Sequence, residues 1–305
     1  MQNKRQTMCL FFPEPMTELD TGNVLVAGVT RVQLFLGVAH DPRQLEQLQW
    51  LAAHGIHVIL RIEEPSRDNA GEVAASYYQA GNRPEIARKI GELQARVPGL
   101  VIEAAIAGNE PDIEYNLTRG SNTWGDTAEA NFPQGRVWEH RLAVEDLRTL
   151  LTPMGVLVVA PGWSHKRLTP RDAPDPGRMT WARIVADIYN QGPVGLHAYC
   201  INYSGPNGPE DENRLLWRVG NELERIHSDV WINEINVASR LFNNRPVDRM
   251  LMVLEMYDLL AAQPWTGAIR SFCPFVSNGR TDQPWSNMIM RERECYVRMG
   301  AWIAG

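Results

Sequence analysis

Eight short runs of aliphatic and β-branched residues recur along the 305-residue chain, and the stretches between most of them keep a helical period instead. The runs are MCLFF (8–12), RVQLFLG (31–37), HVILRIE (57–63), VIEAAIAG (101–108), VLVVAPG (156–162), VGLHAYC (194–200), VWINEI (230–235) and IRSFCPFV (269–276). They are too short for buried helices and too continuously apolar for strands with one wet face, so they read as strands covered on both sides. The stretches at 41–55, 83–99, 137–155, 180–192, 210–228 and 246–263 place Leu, Ile, Val or Met three and four apart. Several of them open on Asp, Thr or Pro and close at Gly, as capped helices do. The connection TELDTGNVLVAG after the first run is short and predicts at best a stunted helix.

Strands buried on both faces and alternating with helices predict a parallel sheet, and eight such units without a linker predict a single (β/α)8 TIM barrel over residues 1–305. An open doubly wound sheet is the competing arrangement. No glycine-rich phosphate cradle follows an early strand to support it. The longest irregular pieces, at about 112–136, 163–179, 201–209 and 277–291, all follow strand C-termini, the end at which barrels build their sites.

A net charge of −6 argues against a surface that holds nucleic acid or anionic lipid, because such partners are bound through clustered Lys and Arg. The four cysteines, Cys9, Cys200, Cys273 and Cys295, lack metal-ligand spacing and read as reduced thiols. No stretch approaches the roughly 18 apolar residues of a membrane span. The apolar patch near the N-terminus is too short for a signal peptide, which suggests a cytoplasmic protein or one released without a signal, with a processed secreted form equally compatible. Oligomeric state has no signature in the sequence.

Polar residues gather at the C-terminal ends of the runs: Arg61, Glu63 and Glu64 on the third, Asn109 and Glu110 on the fourth, Trp163, Ser164 and His165 on the fifth, His197 and Tyr199 on the sixth, Asn233 and Glu234 on the seventh. Glu110 and Glu234 would face each other across the barrel mouth. Glycosidic bond cleavage calls for such a pair, one carboxyl to protonate the leaving oxygen and one to attack or stabilise the anomeric centre.

The local wording around these acids resembles the clan A glycoside hydrolases, the barrel superfamily that includes the family 5 cellulases and mannanases and the family 39 xylosidases. In that clan an Asn-Glu pair, often followed by Pro, ends strand four, and a second Glu ends strand seven. GNEPD supplies Asn109, Glu110 and Pro111, and VWINEINVAS supplies Glu234; GVTRVQLFL and LHAYCINY resemble the clan's second and sixth strands. The resemblance implies a retaining glycosidase acting on an oligo- or polysaccharide with no cofactor and no metal. In it Glu234 is the nucleophile and Glu110 the acid/base, while Asn109 binds the sugar 2-hydroxyl and His197 and Tyr199 line the sugar site. His197 also reads as a satisfied histidine inside the barrel mouth.

Departures from the clan pattern are specific. Its strand-two arginine has no counterpart, since Arg31 comes too early and Gln33 stands in its place, so that either Arg61 on strand three substitutes or the role is vacant. Phe272 and Phe275 stand where a strand-eight Trp is common, and Ile235 and Asn236 replace the usual residues after the nucleophile. Ten tryptophans are present; Trp124, Trp163, Trp181 and Trp285 fall in loops where indoles could stack on sugar rings or simply pack, whereas Trp50, Trp217 and Trp302 fall on helical faces. Glu63 and Glu64 before Pro65 form a rival acidic site, read mainly as a surface loop. No calcium-type ligand spacing and no nucleophile elbow is present. A carbohydrate-binding barrel that does not cleave, within a larger assembly, is the alternative reading.

Overall fold

Residues that pack against neighbours on both faces of a strand leave no polar face, and all eight apolar runs form parallel strands. The computed structural model describes residues 3–62, 80–108, 134–162, 192–200, 228–237, 245–262, 268–274, 277, 290 and 292–305, with side chains at all but 80, 134–141, 198–200 and 236–237 of these. The strands are β1 (Leu10–Phe12), β2 (Arg31–Phe35), β3 (His57–Arg61), β4 (Ile102–Ile106), β5 (Leu157–Val159), β6 (Val194–Cys200), β7 (Val230–Val237) and β8 (Ile269–Pro274). β1 to β5 pair in chain order, as do β6 to β8. Two seams join these sheets. At one, Met8 bridges Phe272 and Cys9 N–H donates to the Phe272 carbonyl at 3.0 Å; at the other, Ala160 bridges Val194 and Gly195 N–H donates to the Ala160 carbonyl at 2.6 Å. The chain is thus a (β/α)8 barrel.

Gly195 makes the second seam possible. A Cβ there would stand 2.7 Å from the Ala160 carbonyl oxygen and 2.9 Å from Gly162 N, both backbone atoms that cannot swing aside.

Alternation along the strands sorts side chains into two cores. Cys9, Phe11, Ile59, Ala104, Ile106, Val159, Trp231 and Cys273 point inward and fill the lumen. Their neighbours, such as Leu10, Val32, Leu60, Val158, Ile232 and Phe272, point outward and pack beneath the helices. A filled lumen closes the barrel below its C-terminal mouth, the end at which barrels build their sites.

The described helices are α1 (Lys4–Thr7), α2 (Glu18–Ala27), α3 (Leu36–His40), α4 (Leu45–Ala53), α5 (Arg83–Arg96), α6 (Gln134–Leu151), α7 (Pro246–Ala261) and α8 (Arg293–Ala304). The stunted helix expected after the first strand is instead the ten-residue α2. Its N-terminus is fixed by a capping box: Asp20 N–H donates to Thr17 Oγ1 at 3.4 Å and Thr17 N–H to Asp20 Oδ2 at 2.8 Å. Gly28 ends it in the left-handed region at φ 66°. Its buried face carries Asp20 and Asn23 beside Val24 and Ala27 while Leu19 and Leu25 stay exposed, which hides the helical period. α8 packs against α2, with Gly300 lying so close to the Val26 carbonyl that no side chain fits between them. α3 was not expected from the sequence and takes over residues 36–37 of the second run, whereas α8 was expected only as the helical face that carries Trp302. The helices expected at 180–192 and 210–228 and most of the four long loops lie outside the described residues. Among the described residues no helix is long and apolar enough to cross a membrane.

Candidate functional site

Strict alternation along β7 would put Glu234 on the outward face with Ile232. It does not, because β7 carries one extra residue. On the β6 side Leu196 pairs with Ile232 and His197 with Glu234; on the β8 side Ile232 pairs with Phe272 and Ile235 with Pro274. The β6 register skips Asn233, and on the β8 side Asn233 and Glu234 together stand against Cys273, so the result is a β-bulge at Asn233. Ile232 and Ile235 both keep their places in the outer core, while Asn233 and Glu234 lie between them. The bulge delivers the Glu234 carboxylate to the lumen.

There it meets two groups from other strands. Arg61, the last residue of β3, donates from Nη1 to Glu234 Oε1, and Nδ1 of His197 on β6 lies 3.6 Å from Oε2, within ion-pair range but beyond direct hydrogen-bond reach. Arg61, His197 and Glu234 are 1%, 0% and 5% exposed. A carboxylate so far from water needs a cation, and the guanidinium supplies it. Arg61 is itself held over the faces of Phe11 and Phe35, 5.1 Å from each ring centre, and these rings pack edge to face at 5.2 Å. His197 packs on Gly162, where a Cβ would stand 2.7 Å from Nε2. Beneath them Cys273 lies beside Cys9. Burial, the neighbouring thiol and the Glu234 charge push the Cys273 thiol well above its ordinary range, with Arg61 opposing, so it stays protonated. Cys9, Cys273 and Cys295 are buried free thiols.

Of the residues singled out in the sequence, the structure brings Arg61, His197 and Glu234 together. The β6 backbone carries Tyr199 within the strand, paired to Asn236. Asn109, Glu110, Trp124, Trp163 and Trp285 lie outside the described residues, as do Glu63 and Glu64. Of the two residues standing where a strand-eight Trp is common, Phe272 faces the helices, edge to face with Tyr257 at 5.0 Å, and Phe275 lies outside the described residues. Trp50 and Trp302 pack against the outer core as expected. Sequence reasoning overlooked the cradle of Phe11, Phe35 and Gly162. The two phenylalanines were findable, since alternation in β1 and β2 places both on the lumen face with Gln33. Among the described residues no group of three or more His, Cys, Asp or Glu could hold a metal ion.

Chemically, the arrangement offers a dry, oriented carboxylate with a fixed cation on one oxygen and an imidazole near the other. Such a group can attack an electron-poor carbon or stabilise positive charge developing beside it.

No protein-family model matches the sequence, and no curated protein matches it. Solved structures do match the fold. A GH128 (subgroup II) endo-beta-1,3-glucanase from Sorangium cellulosum is 12% identical at TM-score 0.55, over 95% of this chain and 97% of that one. A glucosidase from Croceicoccus marinus is 12% identical at TM-score 0.60, over 99% and 67%. The catalytic domain of a GH26 endo-beta-1,4-mannanase from Bacillus sp. JAMB-750 is 11% identical at TM-score 0.54, over 97% and 86%. What this chain shares with these glycoside hydrolases is the barrel.

Proposed function

We propose that the protein is a retaining glycoside hydrolase that cleaves β-linked glycans by double displacement. The observation that carries this reading is the Glu234 carboxylate, turned into the barrel mouth by a β7 bulge and faced by Arg61 and His197. Glycosidases among the protein's fold neighbours support it. Glu234 attacks the anomeric carbon. Glu110, four strands' order fitting the clan A pattern, protonates the leaving oxygen and then, once esterification removes the Glu234 charge, takes a proton from water. Asn109 binds the 2-hydroxyl, and Tyr199 and the loop tryptophans Trp124, Trp163 and Trp285 bind the sugar; retention requires the two carboxyl groups to come within about 5 to 5.5 Å of each other.

The second reading is a carbohydrate-binding barrel without turnover. One observation favours it: the Arg61 guanidinium occupies Oε1, and a charge-assisted hydrogen bond stabilises the resting carboxylate against attack. A screen of chromogenic glycosides and polysaccharides with wild type, Glu110→Ala and Glu234→Ala, with azide added, separates the two. The catalytic reading expects a β-glycosyl azide from the Glu110 variant and an α-glycosyl azide from the Glu234 variant. Glycan binding with no turnover of any substrate contradicts it.

A further inference from the structure

At the β7 bulge one main-chain carbonyl is met by a side chain from across the barrel. Gln33 on β2, with no exposed surface, donates from Nε2 to the Asn233 carbonyl oxygen at 3.2 Å. A buried carbonyl at a bulge is costly unless it is paired, so its donor shifts the balance between bulged and regular strand. The regular strand would turn Glu234 outward beneath the helices and bring Ile235 into the lumen, because removing one residue reverses the facing of everything after it.

We infer that Gln33 is a positioning residue, which fixes the bulge at Asn233 and through it the direction of the Glu234 carboxylate. Gln33 acts through the main chain, by its hydrogen bond to the Asn233 carbonyl. The inference deepens the proposed function and rests on Glu234 being the nucleophile, but the geometry it claims can be read without any activity. No bond is made or broken by Gln33 itself.

Gln33→Met keeps the side-chain volume and removes the donor. Crystal structures of wild type and this variant are expected to differ at Asn233 and Glu234, with the carboxylate drawn away from Arg61. On any glycoside the wild type cleaves, kcat is expected to fall about 10- to 100-fold with KM changed less than about threefold. Gln33→Glu provides the second arm. Its kcat relative to wild type should rise as pH falls, because a protonated carboxyl regains a donor for the carbonyl. An unchanged bulge and Arg61–Glu234 contact in Gln33→Met, or a flat pH ratio in Gln33→Glu, overturns the inference. Absence of all glycoside turnover by the wild type instead removes the functional reading and leaves the two structures to decide the positioning role.

Discussion

The same three residue types meet at both ends of this barrel, and burial separates them most sharply. At the N-terminal end Arg31 donates to Glu103 at 2.7 and 2.5 Å, and His57 lies 3.0 Å from the same carboxylate. At the C-terminal end Arg61 and His197 flank Glu234. Both glutamates sit at bulges, since the β3–β4 register skips Glu103 between Ile102 and Ala104 just as β7 skips a residue before Glu234. The lower trio is partly wet, His57 being 42% exposed, and Arg31 also donates to the main-chain carbonyls of Gln6 and Arg270, tying chain segments together. The upper trio is almost fully buried. Water screens the first and leaves it a modest seal; its exclusion makes the second expensive to disturb and fit for chemistry.

Four tests sharpen that difference. The largest effect is expected on activity: Glu234→Gln should lower kcat/KM on any cleaved glycoside by at least about 10³-fold, whereas Glu103→Gln should change it less than about threefold. Stability comes next. Arg61→Leu strands a buried carboxylate and should cost about 3 to 5 kcal/mol in urea denaturation, against about 1 kcal/mol or less for Arg31→Leu. Equal losses would show that burial does not separate the two ends. Gly162→Ala forces a methyl onto the His197 ring, and about 1 to 3 kcal/mol should be lost, with the His197 proton resonances displaced and those of His57 unmoved.

The smallest effect is in alkali and tests burial without pairing. Folded-state values are raised for two thiols, Cys273 by burial beside Cys9 and Cys295 to about 12, chiefly by burial. Unfolded thiols lose their protons near about 8.5 while the folded ones keep theirs. Their contribution is therefore complete below that pH and is lost as pH rises from there toward about 12. Urea midpoints measured from pH 8 upward should fall for wild type and flatten in Cys273→Ala and Cys295→Ala; parallel slopes would count against buried neutral thiols.

The barrel was legible in the sequence because strand segments buried on both faces, such as LFF of β1 and VIL of β3, cannot hide their apolar character. α2 was not, because its buried face mixes Asp20 and Asn23 with Val24; the Thr17-to-Asp20 capping box was the signal passed over. Glu234 and Arg61 were visible as polar residues ending apolar runs. Their meeting was not, because it depends on a bulge set by Leu196, His197 and Phe272 on the flanking strands and by Gln33 on β2, none of them near Glu234 in sequence. A strand's facing can be counted from its residues only while its register is regular.

The central claim is that Glu234 is the residue that forms a covalent bond to sugar. Incubation with a 2-deoxy-2-fluoro glycoside of a sugar the wild type cleaves, followed by peptide mass mapping, tests it most directly, because the fluorine slows hydrolysis of the glycosyl ester and lets it accumulate. The account expects a single added glycosyl mass on the peptide that contains Glu234, lost in Glu234→Gln and retained in Glu103→Gln. An adduct on a different carboxylate, with Glu234 unmodified, would contradict it.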